Sequence, residues 1–532
     1  MIERLTEIKI EYLYLGVWTD ITPYVIGSIK GEWGLPGDSP LDRVAISGEL
    51  TFTIFNQNKL FTPGLSTCFI GWSKGVKVKL TLTKEGESWI KFIGIVEELK
   101  INNNLDEDKT VEVTVLDWMA TAAKTNLSGV NTTANQRIEQ AVATIISTLP
   151  TRLQPATTTY ETGLETFAYV FDSIRPNTKV LTELSKLTRS ELGYIYCRKD
   201  KNTGERLIVE SRDTRNTNQL QEIPLLLSRS GKLLLTQGDY RLLSQGGKRT
   251  LYQRELFSFV NNMKDITPSY GDNIINSVTL RAYPRLIAGS TSVLFNLNSP
   301  MYLESGDSIT VEGYYKDASG NFINADPTTM VTPVATTHYK FYQYSNGTPP
   351  DLTANLTVTP TFSPNKFKYL ISNSGASGYV TFLTAVGYAI SISSPIEYTI
   401  EDSVSISDND FRGITIDQVY QTSVESGSKL AFLIIYQQKN ARKIATQLNL
   451  LANQDTNSLV AFLSLDIGNL INITDIDNEI NGSYYITRIG FEIMPGGLIY
   501  YWFNLQEALT SNTIFWSFDI PGQTEFGHLI IG

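Results

Sequence analysis

Histidine and cysteine are nearly missing from this chain of 532 residues, with two of each. His338 and His528 have no neighbouring Cys and no HExxH spacing, which argues against a zinc site or a Ser-His-Asp triad. Cys68 and Cys197 lie about 130 positions apart, which is neither a disulfide framework nor a metal spacing, so both read as free thiols. No apolar run reaches the roughly 18 residues a spanning helix needs, so no membrane span is expected. The start, MIERLTEIKIEYLYLG, carries early charges and no apolar segment, so no signal peptide is expected. Basic charge is also short. Lys and Arg number 44 against 54 Asp and Glu, a net charge of −10, so the chain as a whole lacks a cationic footprint for nucleic acid. No Walker-type phosphate loop is present, and Gly246-Gly247 and Gly496-Gly497 read as turns. The expectation is no cofactor, no metal and no catalytic residue.

What is present is β-strand patterning. LTEIKIEYLYL, VAISGELTFTIFN, VKVKLTLTK, WIKFIGIVEELKI and TVEVTVLDW alternate apolar and polar residues, the mark of half-buried strands. Thr62-Pro63-Gly64 and Asn102-Asn103-Asn104 punctuate them as turns. Residues 1–125 therefore predict a first β domain of sandwich or barrel type. A helical period follows at Ile138, Val142, Ile145 and Ile146, then again from Pro176 through Val180, Leu181, Leu184 and Leu187. With the hairpin YIYCRKDKNTGERLIVESR these make a small α/β middle domain over 126–215. Residues 216–290 plus 396–510 predict a second β domain. Within it LLTQG and LLSQG repeat eight residues apart, IEYTIEDSVSI reads as strand, Lys439–Asn453 as helix, and LVAFLSL as strand. Residues 291–395 are rich in Thr, Ser, Asn and Gly and read as an inserted immunoglobulin-like β-sandwich. Residues 511–532 read as a docking tail. The fold class is thus mainly β, with small α+β segments.

Candidate functional residues are sparse. The acidic pairs Glu97/Glu98, Asp106–Asp108, Asp408/Asp410 and Asp475/Asp477 have the residue type a glycosidase uses, but each sits where Asp or Glu serves a turn or strand end. Asp-x-Asp without further ligands is a weak calcium signal. Tyr339, Phe341, Tyr342 and Tyr344 alternate along one strand-like run: Tyr339 and Phe341 on one face, Tyr342 and Tyr344 on the other. They are the candidate receptor or glycan contacts. Trp18, Trp33 and Trp72, with Trp516 and Phe518 in the tail, are the candidate interface residues.

Several stretches, in order, resemble tail-hub and minor tail proteins of tailed bacteriophages. They are Trp18-Thr19-Asp20-Ile21-Thr22, Asp42-Arg43-Val44-Ala45, Gly48-Glu49-Leu50-Thr51-Phe52, Phe92-Ile93-Gly94-Ile95-Val96 and Leu116-Asp117-Trp118. To these add VLTELSKLTRSELGYIYCRKDKNTGERLIVESRD, LDIGNLINITD with INGSYYITRIGFEIMPGGLIYYWFNL, and WSFDIPGQTEFG. The likeness spans about three quarters of the chain and fails over 291–395. It implies two tube-like β domains per chain and a homotrimer matching a hexameric tube. It also implies a virion tail-tip or baseplate hub ring, assembled in the host cytoplasm. The implied partners are a tail tube or distal tail protein above, a central spike, fibre or tip protein below, and tape measure protein and DNA passing through the lumen during ejection. A receptor- or glycan-binding tail protein is the alternative, and a tail-associated glycan hydrolase a more distant one.

Overall fold

The computed structural model describes residues 4–508, except 38, 103–107, 128–129, 131–132, 173–176, 200, 202, 213, 218–220, 225–248, 253–256, 261–262 and 272–273. The Leu-Leu-Thr-Gln-Gly repeat and the tail with Trp516, Phe518 and His528 lie outside the described residues. The fold is mainly β, and no sheet closes into a barrel among the described residues.

One sheet of 13 strands runs through both ends of the chain. Its N-terminal part is built from Glu7–Tyr14, Val17–Asp20, Val25–Gly34, Ile46–Phe55, Lys77–Lys84, Glu87–Asn102 and Thr110–Leu116. Its C-terminal part uses Phe257–Val260, Asp265–Tyr270, Lys443–Leu451, Leu470–Asp475, Ile480–Ile493 and Ile499–Glu507. The alternation seen in the sequence is the alternation of burial. Leu50, Phe52 and Ile54 point into the core, as do Val78, Leu80 and Leu82, and Val111, Val113 and Val115. Each such side chain stabilises by about 1.5–3 kcal/mol. A one-residue slip would turn the whole set to solvent, so burial fixes the register.

The two parts meet at a seam, where Val25–Gly34 pairs antiparallel with Ile480–Ile493, from Ile29 opposite Ile493 to Gly34 opposite Arg488. Gly31 and Gly34 permit this approach. A Cβ at Gly31 would meet the Phe491 ring at 2.5 Å, and one at Gly34, where φ is +143°, would meet Arg488 Cα at 2.5 Å. Behind the sheet pack helices Trp118–Lys124, Ile138–Thr148, Val180–Glu191 and Thr456–Ser464, and one hydrophobic cluster joins them to both parts.

A second module stands on a β-ribbon. Ser277–Ala282 pairs with Ile396–Glu401, and the ladder resumes as Arg285–Asn296 against Gly378–Ile392. Above it two sheets share a separate cluster that includes Leu294, Tyr315, Phe341, Phe367, Tyr369 and Val380. The buried Arg285–Asp172 ion pair (2.7 Å) ties the base of the ribbon to the α/β segment.

Three local expectations are corrected. Lys439–Asn453 is not a helix: Lys443–Leu451 is a strand between Asp265–Tyr270 and Ile499–Glu507. The register slips opposite Pro268, so Ala445 and Leu448 are both buried three residues apart, a spacing that imitates a helix. LVAFLSL is helical instead, because Asp455 caps Thr456–Ser464 by accepting from Ser458 N (2.7 Å). The strand at Ile396 stops at Glu401, because Asp402 caps the helix Ser403–Asn409.

Candidate functional site: a buried polar junction and the open edges of the sheet

Asp117 follows directly on the strand Thr110–Leu116. Its Oδ1 accepts from Met119 N (3.1 Å), capping the helix Trp118–Lys124, and from Gly48 N (2.9 Å). The hairpin Tyr194–Arg198/Arg206–Glu210 pairs Arg198 with Arg206, so the next residues, Lys199 and Glu205, face each other across it. Lys199 Nζ lies 3.0 Å from Asp117 Oδ2 and 3.6 Å from Glu205 Oε1, with all three side chains buried. Its backbone N–H donates to Asp466 Oδ2 (2.6 Å), and Asp466 Oδ1 accepts from Trp33 Nε1 (2.8 Å). One lysine thus joins the N-terminal β part, the hairpin and the C-terminal β part.

Aromatic faces complete the lining. The ammonium of Lys199 sits 4.5 Å from the Phe92 ring centre and 5.4 Å from that of Trp33. The two carboxylates hold the Lys199 ammonium above the usual lysine range, against burial. Burial raises the Glu205 carboxyl, partly opposed by Lys199. Lys91, from the strand Glu87–Asn102, donates to Phe462 O at the end of the helix Thr456–Ser464, and burial lowers it to about 8. Asp117, Cys197 and Glu205 could each offer a metal-ligand atom, these lying within 4.8 Å of one another. Lys199 places a cation of the chain's own beside both acidic side chains. A cavity of about 320 Å³, lined by Lys199, Arg198, Lys201, Arg206, Glu161 and Glu210 among others, opens beside the junction.

The long path of the sheet ends in two edges, and a branch ends in a third, Phe257–Val260, which pairs only with Leu470–Asp475 among the described residues. Val17–Asp20 is hydrogen-bonded only to Glu7–Tyr14, and Asp265–Tyr270 only to Lys443–Leu451, among the described residues. Leu15 and Val17 are exposed beside the first edge and Tyr270 on the second. Both edges are short, four and six residues, and Pro268 interrupts the second.

The sequence candidates fall into different places. Trp18 is half-buried on the first edge, its ring 4.3 Å from Lys79 Nζ. Trp33 and Trp72 are corrected: both are buried in the chain's own core, Trp33 against Phe92 and Phe491, Trp72 against Tyr12 and Phe61, and have no surface left for a neighbour. Tyr339 and Phe341 belong to the core of the stalked module, which leaves half-buried Tyr342 and exposed Tyr344 as surface residues. His338 Nδ1 accepts from Val334 N (3.0 Å), a local turn bond. Asp475 accepts from Asp477 N (3.1 Å) in a turn, and Glu97 pairs with Lys124. Asp106 lies outside the described residues. The junction residues Lys199, Glu205 and Asp466 were not singled out from the sequence. The one available signal was a Lys and a Glu flanking the predicted hairpin tip.

No protein-family model matches the chain, and no curated protein matches it. Among solved structures it is similar to the 43 kDa tail protein of prophage MuSo2 from Shewanella oneidensis, at 10% identity over 94% of this chain and 98% of that one, with a TM-score of 0.45. It is similar to the tail protein from Neisseria meningitidis MC58, at 8% identity over 94% and 96%, TM-score 0.44. A third similar structure is prophage tail protein gp18 from Listeria monocytogenes, at 9% identity over 94% of each chain, TM-score 0.39. No helix among the described residues is long and apolar enough to cross a membrane.

Proposed function

We propose that this chain is a structural subunit of a phage-type tail, forming a tail-tip or baseplate hub ring that joins the tail tube to distal tip or fibre proteins. The observation that carries the reading is the seam: the N- and C-terminal β parts share one sheet through Val25–Gly34 and Ile480–Ile493. In this reading a single chain is an arc of two β units, with the edge strands Val17–Asp20 and Asp265–Tyr270 at the ends of its long strand path. Three such arcs make a closed ring of six units, the symmetry implied by the likeness of the sequence to tail-hub proteins. The net charge of −10 suits a lumen through which DNA passes without sticking. In this reading the domains are 1–125, 126–215, 216–290 with 396–510, the insertion 291–395 and the tail 511–532.

The stalked module supports a second role on the same particle. Its separate hydrophobic cluster leaves Tyr342 half-buried and Tyr344 exposed, open to a receptor or glycan. Light scattering and electron-microscope class averages of the full chain test the main reading. A three-fold ring with a central opening is expected. A chain that stays monomeric at high concentration overturns ring formation and leaves the stalked module as the functional part.

A further inference from the structure

We propose that Lys199 and Asp117 join in an intramolecular isopeptide bond, with Glu205 as the catalytic residue. This goes beyond the ring reading and does not rest on it. The nucleophile is in place: Lys199 Nζ lies 3.0 Å from Asp117 Oδ2, and both side chains are almost wholly shut from water. The electrophile is polarised. Asp117 Oδ1 accepts two backbone N–H groups, from Gly48 and Met119, so charge that builds on that oxygen meets two fixed donors. Gly48 leaves room for this, because a Cβ there would stand 2.4 Å from Asp117 Oδ2. The proton carrier is in place too: Glu205 Oε1 is 3.6 Å from Lys199 Nζ, and burial favours its neutral form.

The atoms balance without any outside reagent. A proton moves from the Lys199 ammonium to Asp117 Oδ2, which leaves an amine beside a carboxylic acid and no net change in charge. The ammonium is the resting form, held by the two acidic neighbours and the Phe92 and Trp33 faces, so the reaction draws on the small neutral fraction and is slow. The amine lone pair attacks Asp117 Cγ, and Oδ1 takes the negative charge. Glu205 gives its proton to the departing Oδ2 hydroxyl and takes one from the nitrogen. One C–N bond has formed, one C–O bond has broken, one water has left, and Glu205 is restored. The adjoining cavity, which Lys199 lines, offers the water a way out. Nothing is oxidised or reduced, and the reaction happens once per chain. The bond would tie the end of the strand Thr110–Leu116 to the hairpin, across a segment that includes both helices Ile138–Thr148 and Val180–Glu191.

The test is the mass of the full-length chain under denaturing conditions, followed by peptide mapping. The expected result is a chain lighter than its sequence by one water, with a branched peptide linking residues 117 and 199. Glu205→Gln is expected to fold, by far-ultraviolet circular dichroism, yet to keep the full mass, and Lys199→Met also keeps it. A parent chain at full sequence mass after prolonged incubation at neutral pH overturns the proposal, whether or not either variant folds. A water-loss bond mapped between Lys199 and Glu205 overturns it too, because it takes the wrong carboxyl. A Glu205→Gln chain that folds and still loses the water removes Glu205 from the catalytic role.

Discussion

Glu191 ends the helix Val180–Glu191 with its carboxylate wholly buried, accepting from Leu164 N (2.8 Å) and Glu165 N (3.4 Å). Burial pushes it up to about 7, against those hydrogen bonds. The folded chain therefore holds a proton that the unfolded chain releases above an ordinary Glu pKa of about 4.3. This contribution is full below that pH, declines as the pH rises to about 7, and is flat beyond, on the order of 3 kcal/mol at most. Glu191→Gln removes the titration and keeps the Leu164 N–H bond through its amide oxygen, giving up the longer contact from Glu165 N. It should match the parent near pH 4.5 and exceed it at pH 8 in urea unfolding, and parallel curves between those values would show that Glu191 does not titrate there. Asp466 accepts from Trp33 Nε1, Lys199 N and Ile467 N. Asp466→Ala strands three buried donors and should lower stability by about 2–4 kcal/mol, read as a fall in the denaturant midpoint at unchanged slope. A loss below about 0.5 kcal/mol would mean that other acceptors replace it.

At the scale of elements, the seam depends on backbone approach more than on side-chain attraction. Gly34→Ala places a Cβ against Arg488 Cα and Thr487 O, both backbone, in a conformation that favours glycine. The strands cannot relax without parting, so a cost of about 2–4 kcal/mol is expected. Hydrogen exchange should localise the loss of protection to Val25–Gly34 and Ile480–Ile493, and uniform loss across the sheet would contradict a local seam. The stalked module makes the converse case. Arg285 stands opposite Ile392, so its chain ends are adjacent. Replacing 287–390 by a tight turn should leave the melting temperature of the remainder within a few degrees, because the module's cluster is separate from that of the large sheet. The strands before residue 120 were legible because one face is solvated and the pattern survives in sequence. Lys443–Leu451 was not, because a bulge opposite Pro268 shifts its parity, and Thr456–Ser464 was misjudged because its apolar run hides the Asp455 cap. Periodicity reports burial, and it misleads where a bulge or a cap resets the count.

For the whole molecule, the sequence separated the N- and C-terminal β parts by more than 130 residues of α/β segment and a stalked module, and nothing in local pattern says that they share a sheet. That fact lives in the pairing of residues about 460 positions apart, such as Gly34 with Arg488, and long-range register is what single-sequence reading resolves least. It also sets which strand edges the chain leaves unpaired among the described residues. A sheet with open edges must leave them bare, guard them or hand them to another chain. Here the guards are partial: short strands on both sides and Pro268 on one, while Leu15, Val17 and Tyr270 stay exposed close by. If copies join edge to edge, Val17→Lys with Tyr270→Lys puts like charge on both sides of each joint. Because both side chains are exposed, the fold should lose no more than about 0.5 kcal/mol. The ring should nevertheless dissociate to single arcs by light scattering, and more completely at low salt, where like charges are less screened. Intact rings in this variant would move the joint away from these two edges, toward the edge Phe257–Val260, the α/β segment or the residues beyond 508.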